Sequence, residues 1–183
     1  MVRKWRIYAC FRNVGAGRRQ RIHDARRNHR ACPPAQRRRS KKDGEDQAIG
    51  RSRGGLTTKI HAVVDALGNP VALSLTPGQA ADITQAEPLL DRIKPDALLA
   101  DKGYDSDALI AALEERDITP VIPSKANRKQ QRKTDFALYR ERNLVERFFC
   151  ALKNYRAIAT RYDKLANTYL AGVLLVCVVI WLN

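Results

Sequence analysis

Thr57-Thr58-Lys59-Ile60-His61-Ala62-Val63-Val64-Asp65, then Leu67-Gly68-Asn69-Pro70, then Val71-Ala72-Leu73-Ser74-Leu75 is the stretch that decides the fold class. Its first segment is β-branched and partly alternating, its middle is turn chemistry, and its last segment alternates apolar with small residues. That pattern predicts a β-hairpin, closed by Thr76-Pro77-Gly78.

Downstream, Asp82 to Ile93 carries Ile83, Ala86, Leu89, Leu90 and Ile93 at helical spacing, with Asp82 as the expected N-cap. Ala97-Leu98-Leu99-Ala100 is a short continuous apolar run, which suits a strand buried on both faces. It ends in Asp101-Lys102-Gly103-Tyr104, and Asp105/Ser106 are expected to cap a helix reaching Glu115. Thr119 to Ile122 reads as another strand, and residues 124–134 (SKANRKQQRKT) as a basic loop. A helix over 139–153 follows, then Arg161-Tyr162-Asp163-Lys164 and an apolar terminal helix. The order β-β-α-β-α-β-α-α predicts an α/β domain with a mixed sheet and flanking helices.

The helix Tyr139-Arg140-Glu141-Arg142-Asn143-Leu144-Val145-Glu146-Arg147-Phe148-Phe149-Cys150-Ala151-Leu152-Lys153 contains no Pro or Gly. At 3.6 residues per turn, Tyr139, Arg142, Glu146 and Lys153 share one face, and Leu144, Val145, Phe148, Leu152 and Tyr155 gather opposite. The apolar stripe can bury itself while the polar set faces a cleft. A solvated face with an Arg142–Glu146 ion pair at i,i+4 is the plainer alternative for this helix alone. Asp101, where a buried strand runs out, stands at the usual place for a site in an open α/β sheet, although a turn or capping role is also open to it. Asp65 and Asp82 have local explanations at a turn and a helix start.

Upstream the pattern changes abruptly. Residues 1–40 hold thirteen Arg and Lys against Asp24 alone, twelve of the net +15 charge of the 183-residue chain. With no steady period, and with Pro33-Pro34 in their course, they are expected to form a basic, disordered or degenerate arm. Residues 41–55 read as a polar linker and 56–183 as the folded domain. Such an arm points to a polyanion partner, most simply nucleic acid. Four scattered cysteines without C-x-x-C suit a reducing cytosol. Cys10, His23, His29 and Cys32 are too unevenly spaced to favour zinc. The first 30 residues lack the apolar core of a signal peptide, and the apolar run Tyr169 to Leu182 spans 14 residues, short of a membrane span.

Four linked stretches carry a resemblance: GRSRGGLTTKIHAVVDALGNP (50–70), LTPGQAAD (75–82), LLADKGYDSD (98–107) and YRERNLVERFFCALKNYRAIATRYDKL (139–165). They resemble the bacterial insertion-sequence transposases of the DDE type, in the group named after insertion sequence five. Tyr139, Arg142, Glu146 and Lys153 match that group's Y-x2-R-x3-E-x6-K signature. The resemblance implies an RNase H-like fold, with Asp101 and Glu146 as catalytic carboxylates binding Mg²⁺ or Mn²⁺. It implies cleavage at element ends and transfer of the 3′ hydroxyl into target DNA. Tyr139, Arg142, Lys153 and Lys102, with Arg128, Lys129, Arg132 and Lys133 of the basic loop, would then face DNA.

The chain departs from the family pattern at its start. A strand with the first catalytic Asp should shortly precede the KKDGEDQ stretch, and Asp24 is the nearest carboxylate in a poor strand context. Position 81 is Ala where members often have His before the Asp. The expectation is a truncated or N-terminally degenerate copy, possessing the RNase H-like sheet without its first strand. Partners are DNA, at terminal repeats and target sites, with self-association an open possibility and no membrane. A non-catalytic DNA-binding remnant is the alternative; an RNA-binding protein of ribosomal type would explain the arm but not Asp101 with Glu146.

Overall fold

The computed structural model describes residues 47–52, 55–91 and 93–182 with their side chains, and residues 6–12 as backbone. The linker's first residues, Asp24, and the His and Cys of the weighed zinc set beyond Cys10 lie outside the described residues. The strands are β1 (Arg6–Arg12), β2 (Gly50–Ser52), β3 (Gly55–Asp65), β4 (Pro70–Pro77), β5 (Ala97–Leu99) and β6 (Thr119–Val121). The helices are α1 (Ala86–Leu90), α2 (Asp107–Glu115), α3 (Phe136–Tyr139), α4 (Asn143–Lys153), α5 (Arg156–Ala159) and α6 (Ala166–Leu182).

β3 organises the sheet. β4 pairs antiparallel along one of its edges, from Thr58↔Pro77 to Val64↔Pro70. β1 pairs antiparallel along the other, from Arg12↔Ile60 to Ile7↔Asp65, and short β2 continues that edge against Gly55 to Thr57. β5 joins β1 in parallel, and β6 joins β5 in parallel. The main order is therefore β4-β3-β1-β5-β6, a mixed sheet with β1 at its centre.

β1 is the principal difference from the sequence reading, which placed residues 1–40 in an arm and left the sheet without a first strand. Ile7-Tyr8-Ala9-Cys10-Phe11 is a continuous apolar run of the same kind as 97–100, suited to a central parallel strand. The arginines on both sides of it, Arg6 and Arg12, give the segment the charge density of its surroundings and conceal that pattern.

Two apolar layers cover the sheet. Ile60, Ala62, Val64, Ala97, Leu99 and Val121 pack with Val145, Phe148, Phe149 and Leu152 of α4 and Tyr169, Val173 and Cys177 of α6. Val63 and Leu98 pack on the other face with Leu89 and Leu90 of α1 and Leu109, Ile110 and Leu113 of α2. Buried on both sides, β3 is covered continuously from Thr57 to Asp65, as a central strand should be.

The hairpin turn follows the sequence reading closely. The Asp65 carboxylate accepts from the amides of Leu67 (2.9 Å) and Asn69 (2.8 Å), an Asx-type closure. Gly68 takes φ +90°, a conformation glycine alone adopts without steric cost. Asp82 departs from its expected role. It begins a 3₁₀ turn, Asp82–Gln85, with no capping hydrogen bond from its predecessor, and its carboxylate instead accepts from Lys59 Nζ at 2.7 Å. Lys59 is a strand residue facing that turn, so the acid is spent on neutralising a largely buried ammonium.

His61, also on β3, is 1% exposed and lies 2.6 Å from the Thr76 hydroxyl. Burial pushes its pKa from 6.5 down to about 4, with Asp82 opposing and Lys59 assisting. The unfolded chain therefore binds the extra proton between those values, and stability falls as pH drops through that window. The expected loss is on the order of 3 kcal/mol between pH 6.5 and 4. Thermal melts across that range should show it, and His61→Gln should flatten the profile there.

Arg161 ties the C-terminal part to the start of the described domain. It is 4% exposed, and its guanidinium donates to the carbonyls of Gln47 (2.9 Å), Ala48 (3.3 Å), Asp163 (2.9 Å) and Lys164 (3.1 Å), and to the Thr58 hydroxyl. It lies over the Tyr169 ring at 4.9 Å. The planar fork of donors suits this many-sided grip, which an ammonium could not reproduce.

Candidate functional site

Asp101 leaves β5 in an extended conformation (φ −69°, ψ 157°), so strand alternation carries past the end of the strand. It thereby falls on the face of Ala97 and Leu99, the face that α4 covers. Its side chain is exposed, and its carbonyl accepts from the Tyr104 amide at 2.8 Å to start the 3₁₀ turn Lys102–Tyr104. Lys102 is exposed beside it.

α4 lies across β1 and β3. Val145, Phe148, Phe149 and Leu152 are its buried stripe, and Glu146 is left partly exposed on the polar side. Arg142 Nη2 donates to Glu146 Oε1 at 2.7 Å, and the Arg142 guanidinium stands 5.6 Å from the Tyr139 ring centre. The ion pair weighed from the sequence is thus present, and it joins three of the four signature residues in one row. Lys153 is exposed at the helix end.

The signature does not lie on one continuous α-helix. Phe136–Tyr139 is α-helical with Asp135 as a cap accepting from Ala137 and Leu138, Arg140–Arg142 is a 3₁₀ turn, and α4 begins at Asn143. In a 3₁₀ turn residues three apart eclipse, which sets Arg142 above Tyr139.

The basic loop is anchored by a residue that the sequence reading assigned to helix capping. Asp105 is 4% exposed, and its carboxylate accepts from the Lys125 amide (2.8 Å), Arg128 Nε (2.8 Å) and Arg132 Nη1. Burial pushes its pKa up, but the Lys125 amide and the two guanidiniums outweigh this and hold it below the ordinary carboxylate range. Asp107 pairs with the same two arginines. Ser106 takes the N-cap position of α2 without a side-chain bond. Of the loop cations named from the sequence, Arg128 and Arg132 are therefore engaged within the domain, whereas Lys129 and Lys133 stand exposed. Nothing local in DSDA (105–108) signals this, because the partners lie 20 to 27 residues on. Removing the carboxylate leaves two cations facing a buried gap, so Asp105→Ala should cost about 3 kcal/mol or more. Denaturant unfolding measures that loss, and faster proteolysis within 124–134 should accompany it.

Asp101 and Glu146 offer hard oxygen donors on one face of the sheet, and Mg²⁺ commonly uses one or two carboxylates with waters and a phosphate. Among the described residues no group of three His, Cys, Asp or Glu side chains is placed to hold a metal ion. Asp65 and Asp82 are engaged at the turn and with Lys59. β1, the strand between β3 and β5, has the sequence RIYACFR without a carboxylate. Among the described residues the set of carboxylates is therefore short of the three-carboxylate arrangement implied by resemblance.

Residues 16–181 match the family model described as the transposase DDE domain. The chain belongs to this family, whose members are enzymes acting in transposition. It is 40% identical over 130 residues to a Brucella ovis protein described as a transposase for insertion sequence element IS6501, covering 70% of this chain and all of that one. It is 34% identical over 145 residues to a Burkholderia cepacia protein described likewise for element IS402, covering 73% of this chain and 65% of that one. Among solved structures, a piggyBac transposase synaptic complex with hairpin DNA aligns loosely, with TM-score 0.42 and 11% identity over 68% of this chain and 24% of that one. No helix of the described residues is long and apolar enough to cross a membrane.

Proposed function

We propose that this chain is a DNA transposase of a bacterial insertion sequence whose carboxylate set lacks its β1 member, so that it binds DNA without turning it over. The observation that supports the reading is Asp101 at the end of β5 and Glu146 on α4, a helix packed on β1 and β3, with neither Asp nor Glu in the β1 sequence. The antiparallel trio β4-β3-β1 followed by parallel β5 and β6 supports an RNase H-like sheet.

Asp101 and Glu146 would hold Mg²⁺ or Mn²⁺. Such an ion, when bound, offsets the charge that develops on phosphodiester oxygens. Arg142 balances Glu146 and, with Tyr139, Lys153 and Lys102, forms the side of the site that meets phosphate. Lys129 and Lys133 extend that basic surface. Arg128 and Arg132 hold the loop in shape and contribute to its field.

The test is cleavage and joining of oligonucleotides bearing the element ends, with Mg²⁺ or Mn²⁺ and with Glu146→Ala as control. The expected result is retained DNA binding with turnover at background in both proteins. Turnover by the natural chain that disappears in Glu146→Ala would overturn the incompleteness and leave a complete transposase.

A further inference from the structure

α6 carries a second apolar seam, and it faces outward. Tyr169, Val173 and Cys177 are its buried contacts with the core. On the far side Ala171, Leu175, Val178 and Leu182 are exposed, at successive steps of four, three and four residues. This 3-4 spacing is the seam of a helix that packs against another helix at a shallow angle. Leu174 and Trp181 flank it, 47% and 56% exposed, with Leu175 at 67% and Leu182 at 81%. Trp181 is fixed in place because its Nε1 donates to the Pro70 carbonyl at 2.9 Å. An open apolar groove of about 420 Å³ between α6 and β4 continues the same surface.

We infer that this seam pairs antiparallel with α6 of a second copy of the chain. The seam is self-complementary about a point between Val176 and Cys177. A two-fold axis there sets Leu175 opposite the other copy's Val178 and small Ala171 opposite the other copy's Leu182, while Trp181 comes level with Gly172. Small Ala171 thus leaves room for the other copy's Leu182, and the same patch serves both copies, as in an isologous contact. Charge favours the same surface. The chain carries +15, yet Ala166–Leu182 contains no charged residue, so this face brings two copies together without placing like charges in contact. Scaled by ordinary side-chain areas, the exposed apolar side chains of α6 present roughly 600 Å², beyond what single exposed residues explain and near the ~800 Å² a partner contributes to a standard interface. The inference rests on α6 alone and stands apart from the state of the carboxylate site.

The test is sedimentation equilibrium of the full chain, freed of nucleic acid in high salt. The natural chain should be a dimer at micromolar concentration. Leu175→Glu puts an acid opposite Val178 of each neighbour, and Val178→Lys puts a base opposite Leu175; both lie on the exposed face, so folding, followed by circular dichroism, should persist. Each variant alone should associate at least about tenfold more weakly, since its charge is buried against an apolar seam. An equimolar mixture of the two should restore the dimer, because the axis sets residue 175 against residue 178. A monomeric natural chain, which would leave the seam to a different partner, overturns the inference. So does a Leu175→Glu dimer of undiminished affinity, or a mixture that stays monomeric.

Discussion

Replacing Cys10 with Asp is expected to give the chain metal-dependent cleavage of element-end DNA, at least about 100-fold above the natural sequence, since groups behind a metal's own ligands alone change activity 10–100-fold. The position follows from strand register. Tyr8 pairs with Leu99 in the parallel β1–β5 ladder, so Cys10 stands two residues past that pair on β1 and Asp101 two residues past it on β5. Cys10 is also level with Ala62 across the antiparallel ladder, and Ala62 belongs to the core under α4. By register, a carboxylate at position 10 stands level with Asp101. Ala9→Asp is the matched control, because neighbouring strand positions serve opposite faces. Gain in Cys10→Asp and none in Ala9→Asp, with the gain abolished by adding Glu146→Ala, is the expected pattern. Equal activity in both β1 variants, or none in either, would sink the assignment of Cys10 as the vacant corner.

Competing signals in the sequence conceal β1 and leave β3 and β4 plain. The hairpin 57–75 announces itself twice, through alternation and through Leu67-Gly68-Asn69-Pro70, and its Asx turn forms as such a sequence should. β5 and β6 were legible as short apolar runs for the same reason. β1 has an equal run, Ile7 to Phe11, but lies within forty residues carrying thirteen cations, and composition outweighed pattern. A central strand needs apolar residues only along the few positions that pair, and its flanks can be as charged as solvent allows.

The candidate site divides along a similar line. The strand-end setting of Asp101 and the helical setting of Glu146 are legible in the sequence because both are local properties. The Arg142 contact with Tyr139 follows from i,i+3 spacing, but the 3₁₀ turn Arg140–Arg142 that breaks the helix there is announced by no Gly or Pro. The Asp105 hub was hidden because it is assembled by tertiary contact: a residue at a helix start and two arginines in a loop meet only once β6 has brought the chain back. The same contact decides which loop cations can leave for another partner.

That division sets the second large effect. DNA affinity should fall about 10³- to 10⁵-fold between 50 and 200 mM salt, as for proteins that neutralise six to ten phosphates. The chain has cations to spare for this, with twelve of its net +15 charges in residues 1–40. Within the domain the exposed cations should behave differently from the clamped ones. Lys129→Ala and Lys133→Ala should each lower the slope of log affinity against log salt by about 1, with stability unchanged. Arg128→Ala and Arg132→Ala should instead lower stability, because each leaves Asp105 buried with one fewer partner. Fluorescence anisotropy titrations at several salt concentrations, run beside denaturant melts, separate the two behaviours. Identical slopes for all four variants would mean that the ion pairs to Asp105 and Asp107 open freely to DNA, and that the loop's shape is not held by them.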